Sequence, residues 1–193
     1  MKDHPGYLHG LPIVIKDLTD VSDVKTTYGS KIFSDHIPQK SDYLVERIEL
    51  MGGVVIGKTN TPEFGAGSQT FNEVFGATTN PWNTRYTAGG SSGGTAAALA
   101  VGAAWLGTGS DLGGSLRNPA SFCGVVGLRP TAGIVPHGPS NLPFNTLSVN
   151  GPMARSVEDI SLFLDTIAGY DFRDPLSNAS PKYSYQSAVN AKF

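Results

Sequence analysis

The chain has 193 residues, 39% hydrophobic and 16% charged, with a formal net charge of −2. That suits one folded domain with a buried core, and it argues against disorder by composition and against nucleic acid as a partner. Cys123 is the single cysteine, so an internal disulfide is excluded, no Cys/His zinc cluster exists, and no metal or cofactor is expected.

The polar N-terminus, MKDHPGYLHGLP, lacks a signal-peptide core, so a soluble cytoplasmic protein is expected. Leu11 to Leu18 (LPIVIKDL) is a short apolar run rich in β-branched residues and predicts a buried strand. Ser41 or Asp42 caps a helix running to about Met51, with Leu44, Val45, Ile48 and Met51 on one face and Gly52 and Gly53 ending it. Val54 to Ile56 follows as a second short strand, and this βαβ-like order predicts an α/β domain.

Residues 59–87 read mostly as loop. The stretch from about Ser92 to Leu106 is dense in alanine and free of charge, which predicts a buried helix without a polar face. The longest small-apolar run, Ala96 to Leu106, lies within it, and Gly102 interrupts it well short of the roughly 18 residues of a membrane span. Residues 107–115 (GTGSDLGGS) look like a turn-rich passage, and Val125 to Leu128 like another short strand. Ser156, with Asp159 three residues on, caps a helix carrying Val157, Ile160, Phe163, Leu164 and Ile167, ended by Gly169. The remainder, from Asp171, reads as an exposed tail.

Two glycine-rich turns hold the chemistry of interest: AGGSSGGT at 88–95 and DLGGSLRNPA at 111–120. Glycine is 24 of 193 residues, about 12% against an average of roughly 7%. Because these glycines lie between apolar elements, they predict tight turns rather than a flexible linker. A Walker-type phosphate cradle needs Gly-Lys-Ser/Thr, and no lysine is present here. A G-x-S-x-G elbow is met by glycine count around Ser91 and Ser92, with Asp111 and His137 following in order, but a polar segment precedes it where a strand is required. Ser22 to Lys25 fits S-x-x-K without its companion motifs. Lys16 breaks the apolar run of the first strand on the face of Val14. It either emerges at a strand end or is desolvated, and a desolvated lysine has a depressed pKa and can serve as base to a serine.

Taken together, GLPIVIKDL (10–18), GGVVIGKTNTPEF (52–64), NPWN with AGGSSGG (80–94), GSDLGGSLRNPASFCGVVGLRPT (109–131) and GPMARSVEDISLFLDTIAG (151–169) resemble the amidase signature family of serine hydrolases. The resemblance covers nearly the whole chain, and its specific part is the pair Ser91 and Ser115, 24 residues apart in their glycine contexts. It implies a partial amidase-signature fold, a mixed β-sheet core flanked by α-helices. It also implies a Ser–Ser–Lys triad: Ser115 as acylated nucleophile, Ser91 as bridging serine after a cis peptide from Gly90, and Lys16 as base. The backbone N–H groups of Leu112, Gly113, Gly114 and Ser115 match the family's oxyanion-hole stretch. Ser92 is expected within the hydrogen-bond network, Asp111 and Arg117 as an ion pair steadying the loop, and Cys123 as a packed small residue.

Family members are usually more than twice this long. The resemblance therefore implies that residues 1–193 form one domain, a central fragment, with covering helices and much of the acyl pocket supplied elsewhere. Three readings follow. The first is an amidase cleaving a small-molecule carboxylic amide. The second is part of the amidotransferase subunit that releases ammonia from glutamine and works with partner chains. The third is a non-catalytic or incomplete remnant that folds poorly, exposes its alanine-rich helix, or needs a second chain. The NPWN and LSVNGPMAR contexts are closer to stand-alone amidases. No nucleic-acid or membrane partner is expected; a homodimer or a complementing chain is the expected protein partner.

Overall fold

The computed structural model describes residues 2–179, 181–189 and 191. Strand β1 (Pro12–Lys16) comes from the β-branched run, and the chain returns through helix α1 (Tyr43–Leu50) to β2 (Val54–Thr59), parallel to β1. Asp42, not Ser41, caps α1: its carboxylate accepts the Leu44 N–H at 2.8 Å, while Ser41 Oγ accepts from Ser22. The segment 59–87 is not all loop. It forms two small antiparallel ribbons, β3 (Phe71–Asn72) with β4 (Gly76–Ala77), and β5 (Thr79–Asn80) with β6 (Asn83–Thr87).

Helix α2 covers Gly93–Ala100, shorter than the alanine-rich pattern suggests. Gly102, at φ +75°, turns the chain out of the helix, and Leu106 opens β7 (Leu106–Asp111) instead of closing α2. The expected turn-rich passage from 107 is thus, in its first half, the central strand of the sheet. Helix α3 (Arg117–Cys123) follows, then β8 (Val126–Gly127), β9 (Val149–Ala154), α4 (Val157–Ile167) and α5 (Tyr185–Val189). Ser156 caps α4 by accepting the Asp159 N–H at 3.1 Å.

The five-stranded sheet has the order β2-β1-β7-β9-β8. β1 runs parallel to β2 and β7, whereas β9 is antiparallel to β7 and β8, so the sheet is mixed. Alternation along β1 sorts its side chains between two core layers. Ile13 and Ile15 pack with Leu44, Ile48, Phe163 and Ile167 from α1 and α4. Val14 packs with Ala96, Leu99, Leu116 and Cys123 from α2 and α3. Lys16 is two residues beyond Val14 and so turns toward the α2 side, where the serine turns lie.

β7 escapes the hydrophobic pattern because it is chosen for closeness. A Cβ on Gly109 would meet Ser92 Oγ at 2.8 Å and Met153 Sδ at 3.0 Å. Small residues there let α2 and α3 settle directly on the sheet. β9 is buried along its whole length despite Pro152, whose carbonyl accepts the Leu128 N–H at 3.2 Å. The C-terminal segment is anchored rather than trailing. The Asp165 carboxylate of α4 accepts the Tyr185 N–H at 2.7 Å, and Asp174 is buried. Positions 180, 190, 192 and 193 of the expected tail lie outside the described residues.

Candidate active site

Lys16 ends β1 with 1% of its surface exposed. Its Nζ donates to Ser91 Oγ at 2.6 Å and to Ser110 Oγ at 3.0 Å. Its backbone N–H donates to Thr108 Oγ1 at 3.1 Å. Of the two sequence readings, the strand-end exit fails and the buried amine holds. Burial pushes this lysine from its ordinary 10.5 down to about 7, while the nearby Asp111 carboxylate pulls the other way. Near neutral pH a large fraction of the amine is therefore unprotonated, with a lone pair available to take a proton.

Ser91 and Ser92 are both buried in the turn that leads into α2. The Gly90–Ser91 peptide is cis. The Ser92 N–H donates to the Ser115 carbonyl at 3.2 Å, which ties the two serine turns together. Its hydroxyl contacts the Ser110 backbone, accepting from the N–H at 3.3 Å, so Ser92 fastens the turn to the end of β7 rather than touching Lys16. Ser115 is half-buried and opens onto a cleft of about 410 Å³ walled by Phe64, Ala66, Gly67, Leu112, Gly113 and Asn118. Among the described residues no hydrogen bond joins the Ser91 and Ser115 hydroxyls. A larger hollow of about 610 Å³ adjoins this cleft across Phe64, Ala66, Gly67 and Ser68 but is lined by none of Lys16, Ser91 and Ser115. The smaller cleft is lined by Ser115, though by neither Lys16 nor Ser91.

Asp111 organises the loop that carries Ser115. Its Oδ1 accepts the Gly114 N–H at 2.7 Å and its Oδ2 the Leu116 N–H at 3.1 Å. Arg117 grips both oxygens, at 3.0 and 3.1 Å, as expected from sequence. Burial alone would raise this carboxyl; the Arg117 guanidinium and the two amides outweigh it and hold it at about 2. The Gly114 N–H, one of the four amides expected as an oxyanion hole, is committed to Asp111. Gly114 itself sits at φ +114°, a backbone conformation that side chains disfavour.

Sequence reasoning missed two contributors. Ser110 is the second acceptor for Lys16, and Arg129 donates to the Asp111 backbone carbonyl and to the Leu147 carbonyl at 3.2 Å. Both fall inside quoted motifs, GSDLGGS and GLRPT, but only the partner geometry singles them out. The other candidates separate from the serine turns. His137 faces Asn150 and Asp174. Lys25 pairs with Asp35 at the surface, 3.1 Å away. Cys123 is buried, and that burial pushes its thiol up to about 11. Among the described residues no group of three His, Cys, Asp or Glu side chains is placed to hold a metal ion, and no helix is long and apolar enough to cross a membrane.

A mixed sheet with helices on both faces, together with two glycine-cradled serines and a buried lysine, defines a class. Residues 2–192 match the family model described as Amidase, and the chain belongs to that family, the amidase signature enzymes. It is 47% identical over 189 residues to the A-type subunit of glutamyl-tRNA(Gln) amidotransferase from Methanosarcina barkeri (strain Fusaro / DSM 804), covering 98% of this chain and 40% of the relative. It is 46% identical over 183 residues to an acylamidase of Rhodococcus erythropolis, covering 95% of this chain and 38% of the relative. Among solved structures, 6-aminohexanoate cyclic dimer hydrolase complexed with substrate superposes with a TM-score of 0.89 at 36% identity, covering 94% of this chain and 39% of that one. The chain thus spans about 40% of the length of the curated relatives it matches.

Proposed function

We propose that this chain carries the hydrolytic centre of an amide hydrolase, with Ser115 as nucleophile, Ser91 as proton bridge and Lys16 as base. The observation that supports this most is the buried Lys16 amine, 2.6 Å from Ser91 Oγ, with its pKa drawn down to about 7. In this reading Ser115 Oγ attacks the carbonyl carbon of a linear amide. Its proton passes to Ser91 Oγ as the Ser91 proton passes to neutral Lys16. The carbonyl oxygen becomes an oxyanion, received by the N–H groups of Leu112, Gly113 and Ser115. The proton then returns through Ser91 to the leaving nitrogen, the C–N bond breaks, and water cleaves the acyl-enzyme by the same relay. The open wall of the cleft at Phe64 and Ala66 faces the acyl group or the leaving amine.

The test is covalent. A fluorophosphonate incubated with the chain is expected to label Ser115, at a rate that rises as pH passes through about 7. Peptide mapping that places the adduct on Ser91 or Ser92 would reject the assignment. A rate flat from pH 6 to 9 would reject Lys16 as base.

A second reading has its own support. The more similar of the two relatives is the amidotransferase component, and the acylamidase follows within one per cent. In that reading the same triad releases ammonia from glutamine for a partner chain. Glutamine hydrolysis that depends on added companion chains favours it; cleavage of an aryl amide by the chain alone favours the amidase.

A further inference from the structure

Two lysines stand in adjacent strands of the sheet, Lys16 buried and Lys58 largely so, and they meet different surroundings. Lys58 lies on β2, in register with Ile15, the residue before Lys16. Its Nζ donates to the Thr19 carbonyl at 2.7 Å and to Thr26 Oγ1 at 2.6 Å, and stands 3.2 Å from Asp17 Oδ1. Both side chains of that pair are buried, 10% and 3% exposed. Asp17 Oδ2 accepts the Thr27 N–H at 3.1 Å and its hydroxyl at 2.5 Å, but Oδ1 has no aligned donor, so the Lys58 charge is its compensation. The Asp17 N–H donates to the Thr59 carbonyl at 3.0 Å, continuing the β1–β2 ladder. Asp17 follows the last residue of β1, and the two neighbours meet different partners: the Lys16 amine meets Ser91 and Ser110, whereas the Asp17 carboxylate meets Thr27 and Lys58.

We propose that Lys58 is a positioning residue for the Lys16 amine: by pairing with Asp17 just past the end of β1, it holds that carboxylate away from Lys16 and neutralised, leaving Lys16 to meet hydroxyls alone. This rests on Lys16 being the base. The surrounding charges fit. α2 and β9 carry no charged residue. β7 contributes Asp111, which Arg117 and Arg129 hold. On the Lys58 side the remaining carboxylate is Asp20, which accepts the Tyr28 hydroxyl at 2.6 Å. Burial lowers both lysines, and Asp17 pulls Lys58 back up while Asp111 does so for Lys16. Without Lys58, an uncompensated carboxylate would sit one residue from the base, which favours the protonated, inactive amine.

The experiment reads Lys16 directly. Lysine side chains are isotope-labelled, the Lys16 signal is assigned with Lys16→Met, and its titration is followed by NMR in the parent chain and in Lys58→Met, Asp17→Asn and the double variant. Lys58→Met is expected to raise the Lys16 midpoint by roughly half to one pH unit, and Asp17→Asn to lower it by a similar amount. The double variant is expected to return it near the parent value. The pH dependence of fluorophosphonate labelling at Ser115 follows the same order. A midpoint that stays at the parent value in every variant overturns the proposal, because a merely structural pair would lower stability without moving it. If Lys58→Met does not fold, Asp17→Asn and the double variant still decide by direction. Midpoints that shift as stated while Ser115 never labels would uphold the pairing and sink the hydrolytic reading instead.

Discussion

Replacing Lys16 with methionine is expected to abolish labelling of Ser115 and yet stabilise the fold, with a gain that depends on pH in a defined direction. Lys16 has an ordinary pKa of 10.5 and is drawn to about 7 by burial. Each pH unit of that difference corresponds to roughly 1.4 kcal/mol, so carrying the protonated amine costs the fold on the order of 5 kcal/mol. Between about pH 7 and 10.5 the unfolded chain holds this proton and the folded chain does not, so stability rises with pH across that window. Below about pH 7 both states hold it and the whole cost is present. Methionine has a similar length and removes the charge, but it forfeits the hydrogen bonds to Ser91 and Ser110, worth about 1 kcal/mol each. The net expectation is a gain of about 2–4 kcal/mol at pH 6 that disappears by pH 10. Urea unfolding at the two pH values, followed through Trp82 and Trp105 fluorescence, measures it. A variant less stable than the parent at pH 6, or a difference equal at both pH values, would refute the argument that Lys16 is held unprotonated by burial.

Asp111→Asn is expected to disorder the loop that presents Ser115. An amide in that place puts an N–H₂ against donors that now meet carboxylate oxygens, namely the Leu116 N–H and the Arg117 guanidinium. A loss of roughly 2–4 kcal/mol in urea unfolding and about 100-fold slower labelling follow. In the parent this carboxyl is held at about 2, so its stabilisation is present above about pH 4 and is lost as pH falls toward 2; an acid titration of the parent and the variant should converge there. Gly94→Ala is expected to cost about 2–3 kcal/mol and most of the labelling rate. Its Cβ would be driven into the Asn60 backbone, with the carbonyl oxygen at 2.6 Å, and α2 would have to lift from the sheet. A variant with parent-like stability and labelling would mean that α2 does not need that close approach.

The parts of the fold that were legible in the sequence are those where periodicity and side-chain chemistry agree. β1 announces itself by β-branched residues, and α1 and α4 by apolar stripes; Ser156 caps α4 as expected, and Asp42 is the one of the two expected candidates that caps α1. β7, β9 and α3 were not legible, for a shared reason. The residues of β7 (LGTGSD) were selected for small size under two helices, and Thr108 and Ser110 serve Lys16. β9 contains a proline, and α3 carries Pro119 in its first turn, where a missing N–H is tolerated. For the site, residue type alone marked Lys16 and the two serine turns as candidates but left Lys16 either emerging or buried; the choice of Lys16, Ser91 and Ser115 came from the resemblance. Ser110, Arg129 and the Asp17–Lys58 pair could not, because their meaning lies in partners that the chain brings from elsewhere.

The absence of charge on α2 belongs to the same electrostatics. A serine–histidine pair can work in a partly solvated groove, because histidine has a pKa near neutrality without help. Lysine reaches that range only when water and carboxylates are kept from it. In this molecule a charge-free helix and a charge-free strand, β9, flank the β7 strand that meets the amine, and hydroxyls supply its hydrogen bonds. The carboxylates that come near are each tied to a cation, Asp111 to Arg117 and Asp17 to Lys58. Under the proposed assignment, the alanine-rich pattern of α2, read from sequence only as a sign of burial, is therefore also a condition for Lys16 to act as base: a single carboxylate on the sheet-facing side of α2 would hold Lys16 protonated and close the proposed relay.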